Sequence, residues 1–293
     1  MSGPALAREA EPEVQPAAVR RRAPRVRFSA GSVSMGLALL VLAVIVAWLV
    51  APGLFTSFNP INGAAGQQFL PPSPLHWFGT DAQGRDTFTR VVYGTRQTML
   101  GAVSGVAVGL VIGSLIGVVA ATTRGAAGAL IMRFVDVLMA IPGFLLALCI
   151  VTGLGPGTLH VALGVGISAI APFARITRGE ALRISQLEYV EAGRLAGTSS
   201  PGVLLTHVLP NSAGPVLALI PVEFGAMILN IAALGFLGYG APPPAPEWGT
   251  LLSDGRNYLE QAWWLTTLPG LVVVLTVLAI ARVGHAVQAR FQI

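Results

Sequence analysis

No lysine occurs in this chain: all 18 basic residues are arginine. Without lysine there is no Gly-x-x-x-x-Gly-Lys-Ser/Thr phosphate loop, so any ATP chemistry must come from a partner. Cysteine is almost absent too. The single Cys149 lies inside an apolar run, which excludes an intrachain disulfide and reads as a small packing residue. Charged residues make up only 11% of the chain, against about 25% in soluble domains. The apolar spans contain no paired carboxylates, no His/Glu metal spacing and no nucleophile–base pair, so neither a catalytic residue nor a metal site is indicated.

What is abundant is apolar. The chain of 293 residues is 54% hydrophobic, with a mean hydropathy of +0.71, which indicates a multi-span membrane protein. The net charge of +5 raises the possibility of nucleic acid binding. The arginines, however, sit between apolar spans rather than on a soluble domain, so they suit membrane orientation and no nucleic acid partner is expected.

Six spans are predicted, making an all-α membrane protein. Residues 1–30, rich in Ala, Pro, Glu and Arg, read as a disordered cytoplasmic tail. The first transmembrane helix falls within 31–51, too long and too far from the N-terminus for a cleaved signal. A polar extracytoplasmic segment covers 52–97. The remaining spans lie near 98–122, 134–151, 158–173, 212–237 and 266–283, within a core of 98–286, and 287–293 form a second cytoplasmic tail. This threading puts both termini in the cytoplasm. Fourteen of the 18 arginines then fall inside, with Arg85, Arg90, Arg96 and Arg256 outside, as the positive-inside rule requires. Trp263 and Trp264 suit an outer interfacial belt.

Within the spans, Gly101, Gly105, Gly109, Gly113 and Gly117 recur every fourth residue, a small-residue face that lets another helix approach closely. Arg133 and Asp136, three residues apart, can form an ion pair on one helix face. Pro142 predicts a kink in the third span. Glu223 is an acidic residue well inside a span, with Asn230 two turns on. Lipid exposure of a carboxylate is costly, so these are candidates to line a cavity or a subunit interface.

The longest polar interval of the C-terminal half, 188–211, reads EYVEAGRLAGTSSPGVLLTHVLPN. Glu188, Glu191 and Arg194 share a face of a short helix. Ala192, Gly193 and Gly197 let a partner backbone come near. Ser199 or Ser200 can cap a second short helix, with Pro201 at its start. Two short helices meeting at Gly197 would form a knob fit for a partner's cleft; the plainer alternative is a solvated loop that marks topology.

Glu191-Ala192-Gly193, then Gly197, then nine residues to Thr206, then His207 and Leu209-Pro210, resembles the EAA loop of ABC importer permeases, where the membrane subunit grips its cytoplasmic ATPase. The segment GTDAQGRD (79–86) resembles a signature of the C-type permease subunit of dipeptide and oligopeptide importers. Met132, Arg133, Asp136 and Pro142 also fit the family's pattern. So does the stretch Phe236, Leu237, Gly238, Gly240, Pro243, Pro244, Pro246, Trp248 and Gly249. Ile231, Gly235 and His285 depart from what relatives often carry, which bears on the substrate rather than on the architecture.

The resemblance implies a type I ABC importer permease with a coupling loop at 179–211, working by alternating access. It further implies three kinds of partner: a second homologous permease, one or two cytoplasmic ATPase subunits carrying ATP and Mg, and an extracytoplasmic substrate-binding protein. This chain itself binds membrane lipid and no cofactor. The expected cargo is a short peptide, with nickel, glutathione or haem as alternatives within the family. An ion-coupled secondary transporter, relying on Asp136 and Glu223, is the reading from a different class.

Overall fold

The computed structural model describes residues 30–123 and 125–291. The expected N-terminal tail, nearly all of residues 1–30, lies outside them. Among the described residues ten α-helices account for the architecture, and the only strand-like pairing is a single bridge between Thr80 and Asp86. Five helices are long and apolar enough to cross a bilayer: α1 (Ala30–Val50), α2 (Thr87–Thr122), α5 (Thr158–Ser185), α8 (Leu209–Phe236) and α10 (Trp264–Phe291). α3 (Ala126–Ala140) and α4 (Gly143–Leu154) pass the same test only when taken together as one bent pair.

The third span differs from expectation. Instead of one kinked helix over 134–151, two helices meet at 88° across Ile141-Pro142. Pro142 has no N–H to continue the ladder and disfavours helical geometry at Ile141, which adopts ψ 124°. At 15 and 12 residues, the two pieces measure about 22 and 18 Å, so neither alone crosses a hydrocarbon core of about 30 Å.

The second span also starts earlier than hydropathy suggests. Asp86 caps α2 by accepting from the Thr89 N–H at 2.7 Å, so the polar stretch 87–97 is helical despite its charge. The 36 residues of α2 run about 54 Å, well beyond a bilayer core. Likewise α5 continues through Pro172 to Ser185, which places Arg175, Arg178 and Arg183 on the helix instead of in a loop.

The glycine row decides how the core is assembled. A Cβ on Gly109 would lie 2.6 Å from the Ala169 Cβ, on Gly113 2.5 Å from the Ile170 carbonyl oxygen, and on Gly117 2.6 Å from that of Ala174. These three contacts are all on α5, so α2 and α5 touch backbone to backbone over about two turns. Gly105 meets both neighbours, the Met227 sulfur of α8 at 3.0 Å and the Ala162 carbonyl oxygen of α5 at 3.5 Å, and Gly101 faces Ile231 of α8 at 3.2 Å. The row therefore packs within the chain. Around this pair α8 packs on α10, and α1 lies at the edge against α10 and α2.

At one end of the bundle the segment 52–86, a loop over 237–247 and the short α9 (Trp248–Gly255) form a cap. Trp248 is wholly buried and donates its indole N–H to the Val91 carbonyl at 3.0 Å. His76 and Asp86 pair at 2.8 Å beneath Phe58. Trp264 does not sit in an interfacial belt as expected. It is buried under the cap, where its indole N–H donates to the Thr80 carbonyl at 3.4 Å, while Trp263 is half exposed.

Candidate functional site

The opposite end of the bundle carries the loop between α5 and α8. Its first element, α6 (Glu188–Leu195), places Glu188 and Glu191 in the first turn, where carboxylates meet the positive end of the helix dipole. Arg194 falls in the last turn, again matching the dipole. Val190 is fully buried and joins Ala181 and Ile184 of α5 to Val203 and Val208. One apolar side chain thus pins α6 to the ends of two long helices.

Gly197 ends α6. With φ at +89°, it lets its own N–H donate to the Arg194 carbonyl at 3.0 Å and that of Thr198 to the Gly193 carbonyl at 3.1 Å. This pair of bonds is the Schellman cap, which satisfies the orphan carbonyls of the last turn and requires a left-handed residue at its pivot. Ser199 then caps α7 (Ser200–Val203), accepting from the Gly202 N–H at 3.3 Å.

The second short helix is not separate. Residues Leu204–Val208 form a wide π-turn through which α7 runs directly into α8. Pro210 is the cause: it offers no N–H to the carbonyl four residues back and its ring would collide there, so the turn before it widens. His207, inside this turn, packs edge-on against Tyr189 with ring centroids 6.1 Å apart, and a Cβ on Gly193 would lie 3.3 Å from its Nε2. The small residue at 193 and the imidazole at 207 thus lock α6 against the root of α8. Leu209 and Pro210 open α8.

The outward face of this knob is largely unpartnered. Glu188, Glu191, Ala192, Arg194, Ala196 and Gly197 are exposed, and Leu195 at the tip is 84% exposed. An apolar tip ringed by small residues and two carboxylates is suited to insertion into a partner's cleft.

The other candidates fall elsewhere. Glu223 and Asn230 lie two turns apart on one face of α8, both partly buried, and neither makes a hydrogen bond or ion pair among the described residues. The ion pair expected between Arg133 and Asp136 is not formed. The Asp136 carboxylate is held by Arg175 of α5, because packing of α3 on α5 brings that guanidinium across the groove.

The cap contains charged residues that sequence reasoning left without a role. Arg90 is buried and reaches Asp81 at 3.7 Å, Asp254 at 3.9 Å and the Pro60 carbonyl at 3.1 Å, tying three segments together beside a cavity of about 520 Å³. Glu247 is 1% exposed. It accepts from the Gly249 and Ala241 N–H groups at 3.1 and 3.3 Å, and no cation among the described residues pairs with it. Burial, only partly offset by those bonds, pushes its carboxyl up to about 7. In the sequence Glu247 falls between Pro246 and Trp248 at a position that the resemblance leaves unspecified, so no pattern drew attention to it.

Residues 98–292 match the family model described as "Binding-protein-dependent transport system inner membrane component". Among curated proteins, the chain is 37% identical to a di/tripeptide transport system permease protein of Pseudomonas aeruginosa, covering 89% of this chain and 88% of that protein. It is 36% identical to a probable D,D-dipeptide transport system permease protein of Escherichia coli, covering 86% and 84%. With a glutathione transport system permease protein of Pectobacterium atrosepticum it shares 39% identity over 74% and 72%. Among solved structures, an amino acid ABC transporter aligns with a TM-score of 0.56 at 15% identity, covering 69% of this chain and 94% of that one. A methionine ABC transporter in an inward-facing conformation aligns with a TM-score of 0.55 at 20% identity, covering 68% and 95%.

Proposed function

Since this chain belongs to the family of binding-protein-dependent transport system inner membrane components, a permease and not a catalytic subunit, we propose that it forms half of the translocation pathway of an ATP-driven importer of short peptides. The observation that carries this reading is the exposed knob at 188–197, pinned by one buried valine to the ends of two membrane helices. A force on α6 passes through Val190 to α5 and α8. The close contact between α2 and α5 makes those helices one rigid body. The motion then reaches the face of α8 bearing Glu223 and Asn230, which line the cavity or the interface with a second, homologous permease.

One or two ATPase subunits, holding ATP and Mg, grip the loop from the cytoplasm. Glu188, Glu191, Ala192, Gly193 and Gly197 form the contact, while His207, Leu209 and Pro210 transmit it into α8. The cap, with Asp81, Arg90 and Asp254 around its cavity, faces an extracytoplasmic binding protein that delivers the substrate. Peptides are favoured because the relatives in Pseudomonas aeruginosa and Escherichia coli are named for them. The relatives named for glutathione, itself a tripeptide, make that the second reading.

Cysteines placed at Ala192 or Ser199 should cross-link to the ATPase in the assembled complex. Failure at both, with an exposed control elsewhere reacting, refutes the docking assignment. Uptake of labelled dipeptide by vesicles should need ATP and survive collapse of ion gradients. Competition by unlabelled dipeptide or glutathione ranks the two cargoes.

A further inference from the structure

A second polar feature lies at the loop end of the bundle, unrelated to the knob. Between α3 and α5 runs an open groove of about 610 Å³, walled by Ala127, Leu130, Met132, Arg133, Asp136 and Arg178. Its one carboxylate, Asp136, is already held by Arg175. Arg133 and Arg178 have no acidic partner among the described residues, and the Arg178 Nε is buried without a hydrogen-bond acceptor. The groove therefore carries uncompensated positive charge and an unsatisfied donor, both costly at the edge of a membrane.

The surface beside the arginines is apolar. Leu130, Phe134 and Val137 are 72%, 66% and 56% exposed, and at positions i, i+4 and i+7 they form one stripe of α3 with Arg133 between them. A ligand that fits must present an anionic group to two guanidiniums and a hydrocarbon chain to the stripe. A free phosphate satisfies the first demand only. A small carboxylate likewise leaves the leucine and phenylalanine uncovered.

We propose that this groove is a binding site for an anionic phospholipid, with the phosphodiester between Arg133 and Arg178 and an acyl chain along Leu130, Phe134 and Val137. Its two free phosphate oxygens suit two guanidiniums. Basic pockets between helices on the cytoplasmic side are the usual form of such sites, and here the site rests on the assignment of the loop end to the cytoplasm. Arg178 lies two turns before the end of α5, where the coupling loop begins. Lipid occupancy would thus steady the helix that receives the ATPase stroke.

The test uses the purified permease complex and phosphatidylglycerol carrying a photoreactive acyl chain, with the label mapped by mass spectrometry. Labelling should fall on residues 126–140. It should resist excess phosphatidylcholine and inorganic phosphate, and drop about twenty-five-fold in the double variant Arg133→Gln/Arg178→Gln, given about fivefold per arginine near a charged surface. Mapping on the unaltered complex keeps the proposal testable if the variant folds poorly. Equal labelling by a phosphatidylcholine probe, displacement by inorganic phosphate alone, or cross-linking of a cysteine at 133 to a partner subunit would each overturn it. The label does not depend on cargo or ATP hydrolysis, so a failed peptide-uptake assay leaves this result standing, and the reverse.

Discussion

Replacing Gly197 by Val puts a β-branched side chain where φ is +89°, a region such residues adopt only under strain. A Cβ at this position would meet nothing within 4 Å, so the cost in the subunit is conformational and not steric. It amounts to about 2 kcal/mol, enough to lower the ratio of capped to uncapped loop about thirtyfold. Losing the cap means losing the bonds at 3.0 and 3.1 Å that end α6, so the tip around Leu195 no longer has a defined position. The bundle of membrane helices does not depend on this turn, and membrane abundance should be unchanged. Substrate-stimulated ATP hydrolysis and uptake should fall together. Gly197→Asn separates backbone from bulk, because asparagine tolerates positive φ. It should retain most of the stimulation that Val loses. Normal stimulation by Gly197→Val at normal abundance would refute the reasoning, and so would an Asn variant as impaired as Val.

Gly109→Val should do the opposite. With a Cβ already 2.6 Å from Ala169, α2 and α5 must separate at a cost of about 1–3 kcal/mol or more, seen as lost membrane abundance with normal activity per surviving complex. Asp136→Asn should lower the melting temperature only slightly, because the pair with Arg175 is about half exposed and such pairs contribute under about 1 kcal/mol; Arg133→Gln should leave that pair's contribution intact. Glu247 has a folded pKa raised to about 7 from an ordinary 4.5. Its contribution to stability is therefore fully present below about 4.5 and lost as pH rises through about 7. Thermal unfolding of the complex across that range should show the decline, and Glu247→Gln should flatten it.

Much of this protein can be read from its residues alone. Apolar runs announce the spans, since a bilayer leaves few other ways to satisfy a backbone. The polar loop at 188–211, with Gly197 between two helix signals, is local chemistry, and the Schellman cap appears where the spacing places it. The row from Gly101 to Gly117 declares a close helix contact. The identity of the neighbour was another matter: sequence spacing cannot say whether a smooth face meets α5, α8 or another subunit, and only the fold shows the first two. The break at Pro142 was visible, but its 88° angle is set by what α3 and α4 each pack against. Charge partners were the least legible. Arg133 and Asp136 are neighbours along the chain, yet the carboxylate goes to Arg175, 39 residues away, and Glu247 becomes a buried unpaired acid only because the cap folds over it. Local geometry and burial preference are properties of short stretches and survive in the sequence. Partner choice and desolvation depend on which distant surfaces come together, and tertiary packing alone decides that.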